Sequence, residues 1–205
     1  MVGIRCIIST ARLIPMKPNP ITGMSREEYL AFERASLEKH EYRGGEIVAM
    51  SGAKWNHNII AWNLGGELRN KLKGRDCWVC PGDLRVFLPR EDLYAYPDLV
   101  VVCGKPEFQD DAFDTLLNPV LVIEILSETT EAYDRGDKSQ AYRSITTLAE
   151  YALVSQNRMH IEKYTKHGDG FWMLSEASGH GAEIRFDSID CSVNLTEVYD
   201  KVVFE

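Results

Sequence analysis

The sequence lacks any long hydrophobic run, since nowhere do about 18 apolar residues follow one another as a transmembrane helix requires. It also lacks the order of a secretory signal. Arg5 and Arg12 interrupt the mildly apolar start of the chain, and no small-residue cleavage site follows an apolar stretch. We therefore expect a cytoplasmic protein with no membrane partner.

Cysteine is sparse and a positive net charge is absent. Cys77 and Cys80 have the spacing of a zinc or redox pair, but no second pair or nearby histidine completes a zinc site. We interpret both as strand cysteines in a reducing compartment. The formal net charge of −8 argues against strong non-specific binding to nucleic acid, although it leaves room for a local basic rim around an acidic metal site.

What is present is typical of a globular protein. The chain has 205 residues, 44% hydrophobic and 26% charged, which fits one domain with a short appendage. Residues 1–23 contain three prolines and no periodicity. We therefore predict a flexible N-terminal arm over residues 1–23 and one domain over residues 24–205.

Local patterns predict a mixed set of helices and strands. Ser25 and Glu28 form a capping box before a helix that runs to about Ala35, and a hairpin turns at Gly44-Gly45. A long helix covers 56–73, capped by Asn56, and a second covers 134–147. Strands are expected at 77–80, 84–88, 96–103, 120–126, 150–155, 160–164, 171–174 and 183–186. This order predicts an α+β (mixed α/β) fold with helices against a mixed sheet.

Two acids interrupt the most apolar strands. Asp98 shares a face with Val100 and Val102, and Glu124 shares a face with Val122 and Leu126. A carboxylate buried alone is costly, so two on consecutive central strands call for a shared cation. A hard divalent ion with oxygen ligands meets that need. The alternative is that each acid is solvated at a strand end or pairs with an arginine.

Lys138 adds a positive charge to the same region. Lys138, Ala141, Tyr142 and Ile145 follow helical spacing, which places the lysine on the inward face of its helix. There it can neutralise the carboxylates or stabilise charge that develops on a phosphate. The alternative is a lysine whose stem lies over apolar surface while its ammonium reaches solvent.

Four further residues form weaker candidates. Asp83 and Arg85 share a face of one strand, and we favour an ion pair between them over a role for Asp83 in the site. Glu46 begins the strand after the hairpin turn, and His57 starts the apolar face of the long helix. Both could approach the edge of the site, although a lone histidine on an apolar face favours a satisfied core residue.

With these residues placed, the chain resembles the PD-(D/E)XK nuclease superfamily of restriction-endonuclease-like fold. More narrowly, it resembles the bacterial Uma-type family of restriction endonucleases. The order and spacing of the motifs carry the resemblance, which covers residues 24–203. The motifs are YRGGEI at 42–47, YPDLVV at 96–101, VIEILS at 122–127, DKSQAY at 137–142 and EYALV at 150–154.

The resemblance implies a role for each matched position. Asp98 of the Pro97-Asp98 pair and Glu124 would bind the metal ion, together with the carbonyl of Ile125. Leu126 stands where the motif has lysine, and Lys138 on the following helix is the natural replacement. The implied activity is an endonuclease that depends on Mg²⁺ (or Mn²⁺) and acts on nucleic acid, with DNA the expected substrate.

Two additions and two alternatives complete the hypothesis. Glu46 is a candidate for a second ion or a bound water, and an exposed edge strand favours a homodimer. One alternative is a nucleic-acid-binding or regulatory module with a decayed catalytic site, which Leu126 and the net charge of −8 favour. The other is an oligomerising domain that keeps its carboxylates for metal-stabilised folding.

Overall fold

The computed structural model describes residues 21–204. Residues 1–20 of the expected arm lie outside the described part, whereas Ile21 already forms a β-bridge with Ile47. The helices are α1 (Arg26–Ala35), α2 (Trp55–Lys71), α3 (Glu131–Arg135), α4 (Asp137–Arg143) and α5 (Leu195–Val198). The first strands are β1 (His40–Arg43), β2 (Glu46–Ala49), β3 (Cys77–Pro81), β4 (Arg85–Leu88), β5 (Leu93–Ala95), β6 (Leu99–Cys103) and β7 (Thr115–Leu116). The others are β8 (Leu121–Leu126), β9 (Glu150–Ser155), β10 (His160–Lys166), β11 (Trp172–Ser178), β12 (Glu183–Phe186) and β13 (Cys191–Asn194).

The strands form three sheets. The largest has the order β11-β10-β9-β8-β6-β3, and a five-stranded sheet has the order β2-β1-β5-β4-β7. In the large sheet β8 and β9 run parallel, whereas β6 and β8 run antiparallel. Strands β12 and β13 form a separate pair. Mixed sheets with helices beside them confirm the α+β class.

Each face of the large sheet has its own hydrophobic core. On one face, Leu99, Val101 and Ile123 pack with residues of α2 and of β12, β13 and α5. On the other, Val100, Val122 and their neighbours pack with α4 and the five-stranded sheet. Because both faces are covered, β6 and β8 are almost entirely apolar. Within residues 21–204, no helix is long and apolar enough to span a bilayer.

The N-terminal capping box is confirmed, whereas the cap of the long helix is corrected. Ser25 accepts a hydrogen bond from the Glu28 amide, and the Glu28 carboxylate accepts one from the Ser25 amide. The N-cap of α2 is Lys54, without a side-chain cap, and Asn56 lies inside the helix. The Asn56 side-chain amide nitrogen Nδ2 instead donates to the Val203 carbonyl at 2.8 Å, a long-range contact that no local pattern predicts.

The helix predicted over 134–147 is two shorter helices. Gly136 separates α3 from α4 with φ −99° and ψ −107°, well outside the helical region. The second helix ends at Arg143. Glycine fits this break because a Cβ at position 136 would lie only 3.0 Å from the Ala132 carbonyl oxygen. Asp134 and Lys138, on either side of it, are both buried.

Three other expectations needed correction. The strand predicted over 96–103 begins only at Leu99, as β6, because residues 96–98 form the connection from β5. Strands β5, β7 and β13 were not predicted. Cys77 and Cys80 both lie on strand β3 as predicted, and Cys80 is free, but Cys77 is not a reduced thiol, because it lies opposite Cys103 on β6 and forms a disulfide with it.

Candidate active site

The site is built where β6 begins and β8 ends. Leu99 pairs with Ile123, so one step further along the ladder Asp98 lies opposite Glu124. Residues opposite each other on paired strands project to the same face, which brings the two acids together. Asp98 keeps a partly exposed side chain at the sheet edge, whereas only 3% of Glu124 is exposed.

Backbone amides link the two carboxylates. Asp98 Oδ2 accepts a hydrogen bond from the Ile125 amide at 2.7 Å, and Glu124 Oε2 accepts one from the Asp98 amide at 3.3 Å. Each acid is thus held by the strand that carries the other. The two side chains are fixed at one point rather than at separate places on the sheet edge.

Lys138 reaches this pair from α4. Only 6% of the residue is exposed. Its ammonium Nζ lies 2.9 Å from Glu124 Oε1, and 3.8 Å from Asp134 Oδ1. Ala141 and Tyr142 are buried in the core under the same helix, as the spacing of the inward face predicted. The lysine therefore points into the acidic cluster.

Glu41 is a member of the cluster that the sequence did not reveal. Its Oε1 lies 3.0 Å from Lys138 Nζ, so one ammonium bridges carboxylates from β1 and β8. Glu41 sits in a short strand among other charged residues, where a carboxylate gives no anomaly. Only the packing of the five-stranded sheet against α4 brings it to the lysine.

His57 contacts the metal-binding candidate Asp98. Its Nε2 lies 3.1 Å from Asp98 Oδ2, and its Nδ1 is buried without a hydrogen-bond partner in the described part of the chain. The favoured interpretation of a satisfied core histidine was therefore wrong. The first turn of α2 places this ring at the site, facing the edge of the sheet.

The electrostatics of the cluster favour binding of a cation. Burial raises the pKa of Glu124 to about 8, with Lys138 opposing that rise and Asp98 adding to it. Burial also raises the pKa of Asp134. Burial alone would lower the pKa of Lys138, but the facing carboxylates Glu124 and Glu41 outweigh it and raise that pKa, so the ammonium form is favoured. One lysine thus faces a surplus of carboxylates.

Two of the weaker candidates lie apart from this cluster. Glu46 is exposed on β2, and no ion pair within residues 21–204 joins it to Glu124 or Lys138. Asp83 pairs with Lys39 at 2.9 Å rather than with Arg85. Arg85 instead pairs with Asp114 at 2.6 Å, which corrects the predicted ion pair.

The donor set fits a magnesium ion. Asp98 and Glu124 supply carboxylate oxygens, and the Ile125 carbonyl opens to the same side of β8 as its amide, which contacts Asp98. Mg²⁺ is usually held by one or two carboxylates and completed by water and substrate phosphate. Within residues 21–204, no group of three or more histidine, cysteine, aspartate or glutamate side chains is arranged to hold a metal, so water and substrate would have to complete the coordination.

Comparison with known proteins assigns the family. The chain matches the Uma2 family, described as "Putative restriction endonuclease", over residues 26–196, which is well over half its length. The chain belongs to the Uma2 family. The matched segment contains Glu41, Asp98, Glu124 and Lys138, so the whole cluster lies inside the family's domain.

Relatives of this Uma2 chain come from Synechocystis sp. (strain ATCC 27184 / PCC 6803 / Kazusa). The uncharacterized protein sll1609 is 36% identical over 163 residues, covering 80% of this chain and 92% of the relative. The uncharacterized protein slr1290 is 36% identical over 185 residues, covering 90% and 96%.

A solved structure shares the fold. It is the crystal structure of a putative nuclease belonging to DUF820 from Anabaena variabilis ATCC 29413, with a TM-score of 0.72 at 14% identity. The match covers 88% of this chain and 100% of that one. The Uma2 chain therefore has the restriction-endonuclease-like fold that the sequence motifs predicted.

Proposed function

We propose that this Uma2 protein is a Mg²⁺-dependent endonuclease of the PD-(D/E)XK type, which hydrolyses phosphodiester bonds in nucleic acid, with DNA as substrate. Its family and its fold support a nuclease. The observation that carries the finer proposal is the meeting of Asp98 and Glu124, with the ammonium of Lys138 2.9 Å from Glu124.

Asp98, Glu124 and the Ile125 carbonyl would hold the ion. When bound, Mg²⁺ would supply an anchor for the scissile phosphate and lower the pKa of an attacking water. The two carboxylates would have to be in place before the ion binds. Hydrogen bonds from the backbone amides of Ile125 and Asp98 hold them there. Pre-arranged groups of this kind need no reorganisation during the reaction.

Lys138 would take the place of the motif lysine. Leu126 is buried and apolar and cannot donate to a phosphate. The Lys138 ammonium reaches Glu124 from α4 instead. Because the charged form of Lys138 is favoured, we assign it to orienting the water and stabilising negative charge on the phosphate. Glu41 would hold the lysine in that position.

Leu126 also supports a second candidate function, a module that binds nucleic acid or regulates without cleaving it. In that case the carboxylates would still bind a cation, but no phosphodiester would be hydrolysed. Metal binding without cleavage would therefore favour this alternative. Cleavage that requires the metal would exclude it.

The decisive experiment is cleavage of plasmid DNA, single-stranded DNA and RNA with Mg²⁺ or Mn²⁺. The parent protein should cut at least one substrate, and chelation should stop it. Asp98→Ala should be inactive. Asp83→Ala removes a comparable carboxylate that pairs only with exposed Lys39, and should remain active. An Asp98→Ala protein as active as the parent would refute the proposal.

A cytoplasmic homodimer stays a prediction. Strand β11 lies at an edge of the large sheet, where a second copy could pair. A two-fold dimer would present two sites, one for each strand of a duplex. Light scattering at tens of micromolar would test this, and a monomer that loses no activity on dilution would contradict it.

A further inference from the structure

Helix α2 carries aromatic and basic residues along its outer face. Trp55, Trp62 and Arg69 follow one another at seven-residue spacing, close to two helical turns, so they lie in line. Lys73 follows Arg69 just beyond the helix. The opposite face is buried through Ile60, Leu64 and Leu68, so the outer face is free of that core.

The segment that carries this face is basic although the whole chain is acidic. Residues 54–75 contain five cations, Lys54, Arg69, Lys71, Lys73 and Arg75, and one carboxylate, Glu67, whereas the chain as a whole has a net charge of −8. Glu67 pairs with Lys71 at 3.9 Å, and Lys54 pairs with Glu128 at 3.3 Å. Arg69 and Lys73 form no ion pair within residues 21–204, so their charges are available to an anion.

Both tryptophans of the row are largely exposed, which is unusual for such large apolar side chains. Trp62 is 83% exposed and Trp55 is 73% exposed. Large apolar side chains at isolated surface positions are common, but two in line on one helix, followed in the same line by the cations Arg69 and Lys73, form a patterned surface. Indole faces stack on nucleobases, and cations contact phosphates.

The row ends in a basic concavity. A cavity of about 270 Å³ is lined by Arg69, Lys73, Arg75 and Trp78, and no carboxylate is among its described lining residues. Trp78 is 46% exposed on β3. Arg75 donates to the Asp190 carbonyl at 3.1 Å, a neutral acceptor that leaves its charge uncompensated. These cations suit the phosphates of a nucleic-acid strand.

We infer that this row and the concavity at its end form a binding track for single-stranded nucleic acid. From Trp55 to Arg69 the track extends about 21 Å. At its other end lies His57, which contacts Asp98. This inference rests on the proposed function, because the role of the track would be to guide a bound strand to the candidate active site. Charge complementarity and exposed bases favour a single strand over a paired duplex, whose bases are already stacked.

Binding of a labelled single-stranded oligonucleotide of about ten nucleotides, followed by fluorescence anisotropy in chelator, tests the track without cleavage. Trp62→Ala should weaken binding about tenfold, as expected for loss of one stacked base, with unchanged salt dependence. Arg69→Gln should instead lower the slope of log K against log[salt] by about 0.7, as expected for one lost phosphate contact. A duplex should be insensitive to Trp62→Ala.

Matched controls lie on other surfaces. Phe171→Ala removes an aromatic residue that is 53% exposed, and Arg90→Gln removes a cation in the turn between β4 and β5. Both should bind like the parent. Equal losses in Trp62→Ala and Phe171→Ala would overturn the inference. So would absence of binding by the parent, or a parent dimer that Trp62→Ala dissociates, since the face would then be an interface between copies.

The two proposals fail in different ways. Strand binding that depends on Trp62, with no metal-dependent cleavage, would support the track and refute the nuclease. Metal-dependent cleavage of every substrate at the parent's rate by Trp62→Ala and Arg69→Gln would support the nuclease and refute the track.

Discussion

Two buried lysines, Lys138 on α4 and Lys163 on β10 of the large sheet, lie in clusters of different character. The site cluster consists of Lys138 with Glu41, Glu124 and Asp134; the bracing cluster consists of Lys163 with Glu150 and Asp187. Both lysines are almost inaccessible. Burial of a lysine–glutamate pair by itself therefore does not distinguish a functional site from a structural one.

Hydrogen bonding makes the distinction. In the bracing cluster both oxygens of Glu150 are satisfied, by the Asp187 and Ser188 amides, by the Ser188 and Thr165 hydroxyls and by Lys163. In the site cluster, Glu124 Oε1 and Glu41 Oε1 have the Lys138 ammonium nearby but no partner in hydrogen-bond geometry among residues 21–204. A cluster with more carboxylate oxygens than hydrogen-bond donors has acceptors left over for a further cation.

The largest expected effect is on stability, in the bracing cluster. Lys163→Ala leaves Glu150 buried without its cation and should lower the free energy of unfolding by about 3–5 kcal/mol in urea titrations. The double variant Lys163→Met with Glu150→Gln removes both charges and should recover part of that loss. If Lys163→Ala unfolds like the parent, the bracing role is wrong.

The next effect is on rate, in the site cluster. Lys138→Ala should reduce cleavage by about 10² or more, through loss of a charge stabiliser, while metal affinity changes little because lysine is not a ligand. Measured per folded molecule, Lys163→Ala should cleave like the parent. Full activity in Lys138→Ala would show that the lysine serves only packing.

A smaller effect concerns stabilisation by metal, which we expect from the site cluster and not from the bracing cluster. At about tenfold the dissociation constant, Mg²⁺ should stabilise the parent by about 1.4 kcal/mol, because it binds only the folded state. Asp98→Asn should lose this stabilisation and Asp83→Asn should keep it, as read from urea or thermal midpoints. An equal response from both variants would place the ion elsewhere.

The smallest effect concerns pH and a third ionic group, away from both lysines. The Arg34 guanidinium, with help from Arg85, holds the pKa of Asp114 well below its usual range, against the opposing effect of burial. This contribution to stability is complete above the ordinary aspartate pKa and declines as pH falls below about 4. Urea midpoints should therefore fall less steeply with acid in Asp114→Asn than in the parent.

Asp83→Asn provides the control for this measurement. Asp83 is largely exposed and pairs only with Lys39. Its midpoints should follow those of the parent across the same pH range. A parent and an Asp114→Asn protein with parallel acid profiles would contradict the assignment.

Sequence patterns predicted the parts of this molecule that depend on local periodicity. The capping box at Ser25 was readable because both of its hydrogen bonds join residues three apart. Alternation of side chains along the strands identified Asp98 and Glu124 as candidate site residues, because each is an acid in an apolar run. Helical spacing placed Lys138 on an inward face. None of these inferences required knowledge of how distant segments pack.

Residues whose role depends on long-range packing could not be found in that way. Glu41 reaches Lys138 across 97 positions of the chain because the five-stranded sheet packs on α4, and its own strand shows no anomaly. Cys77 and Cys103 are paired by the register of β3 with β6. Asp83 was predicted to pair with the nearby Arg85, whereas Arg85 pairs with Asp114.

The sequence by itself thus determined the fold class, the family and the identity of the two acids and the lysine that we place in the site. The family follows from the resemblance of its sequence motifs, whereas the fold class and the placement of the three side chains follow from strand and helix periods, which are fixed by backbone geometry. Only the tertiary structure decided that one ammonium bridges Glu41 and Glu124, and that His57 contacts Asp98. The physical reason is that ion pairs form between whichever charged groups packing brings within a few ångströms, and sequence separation places no limit on them.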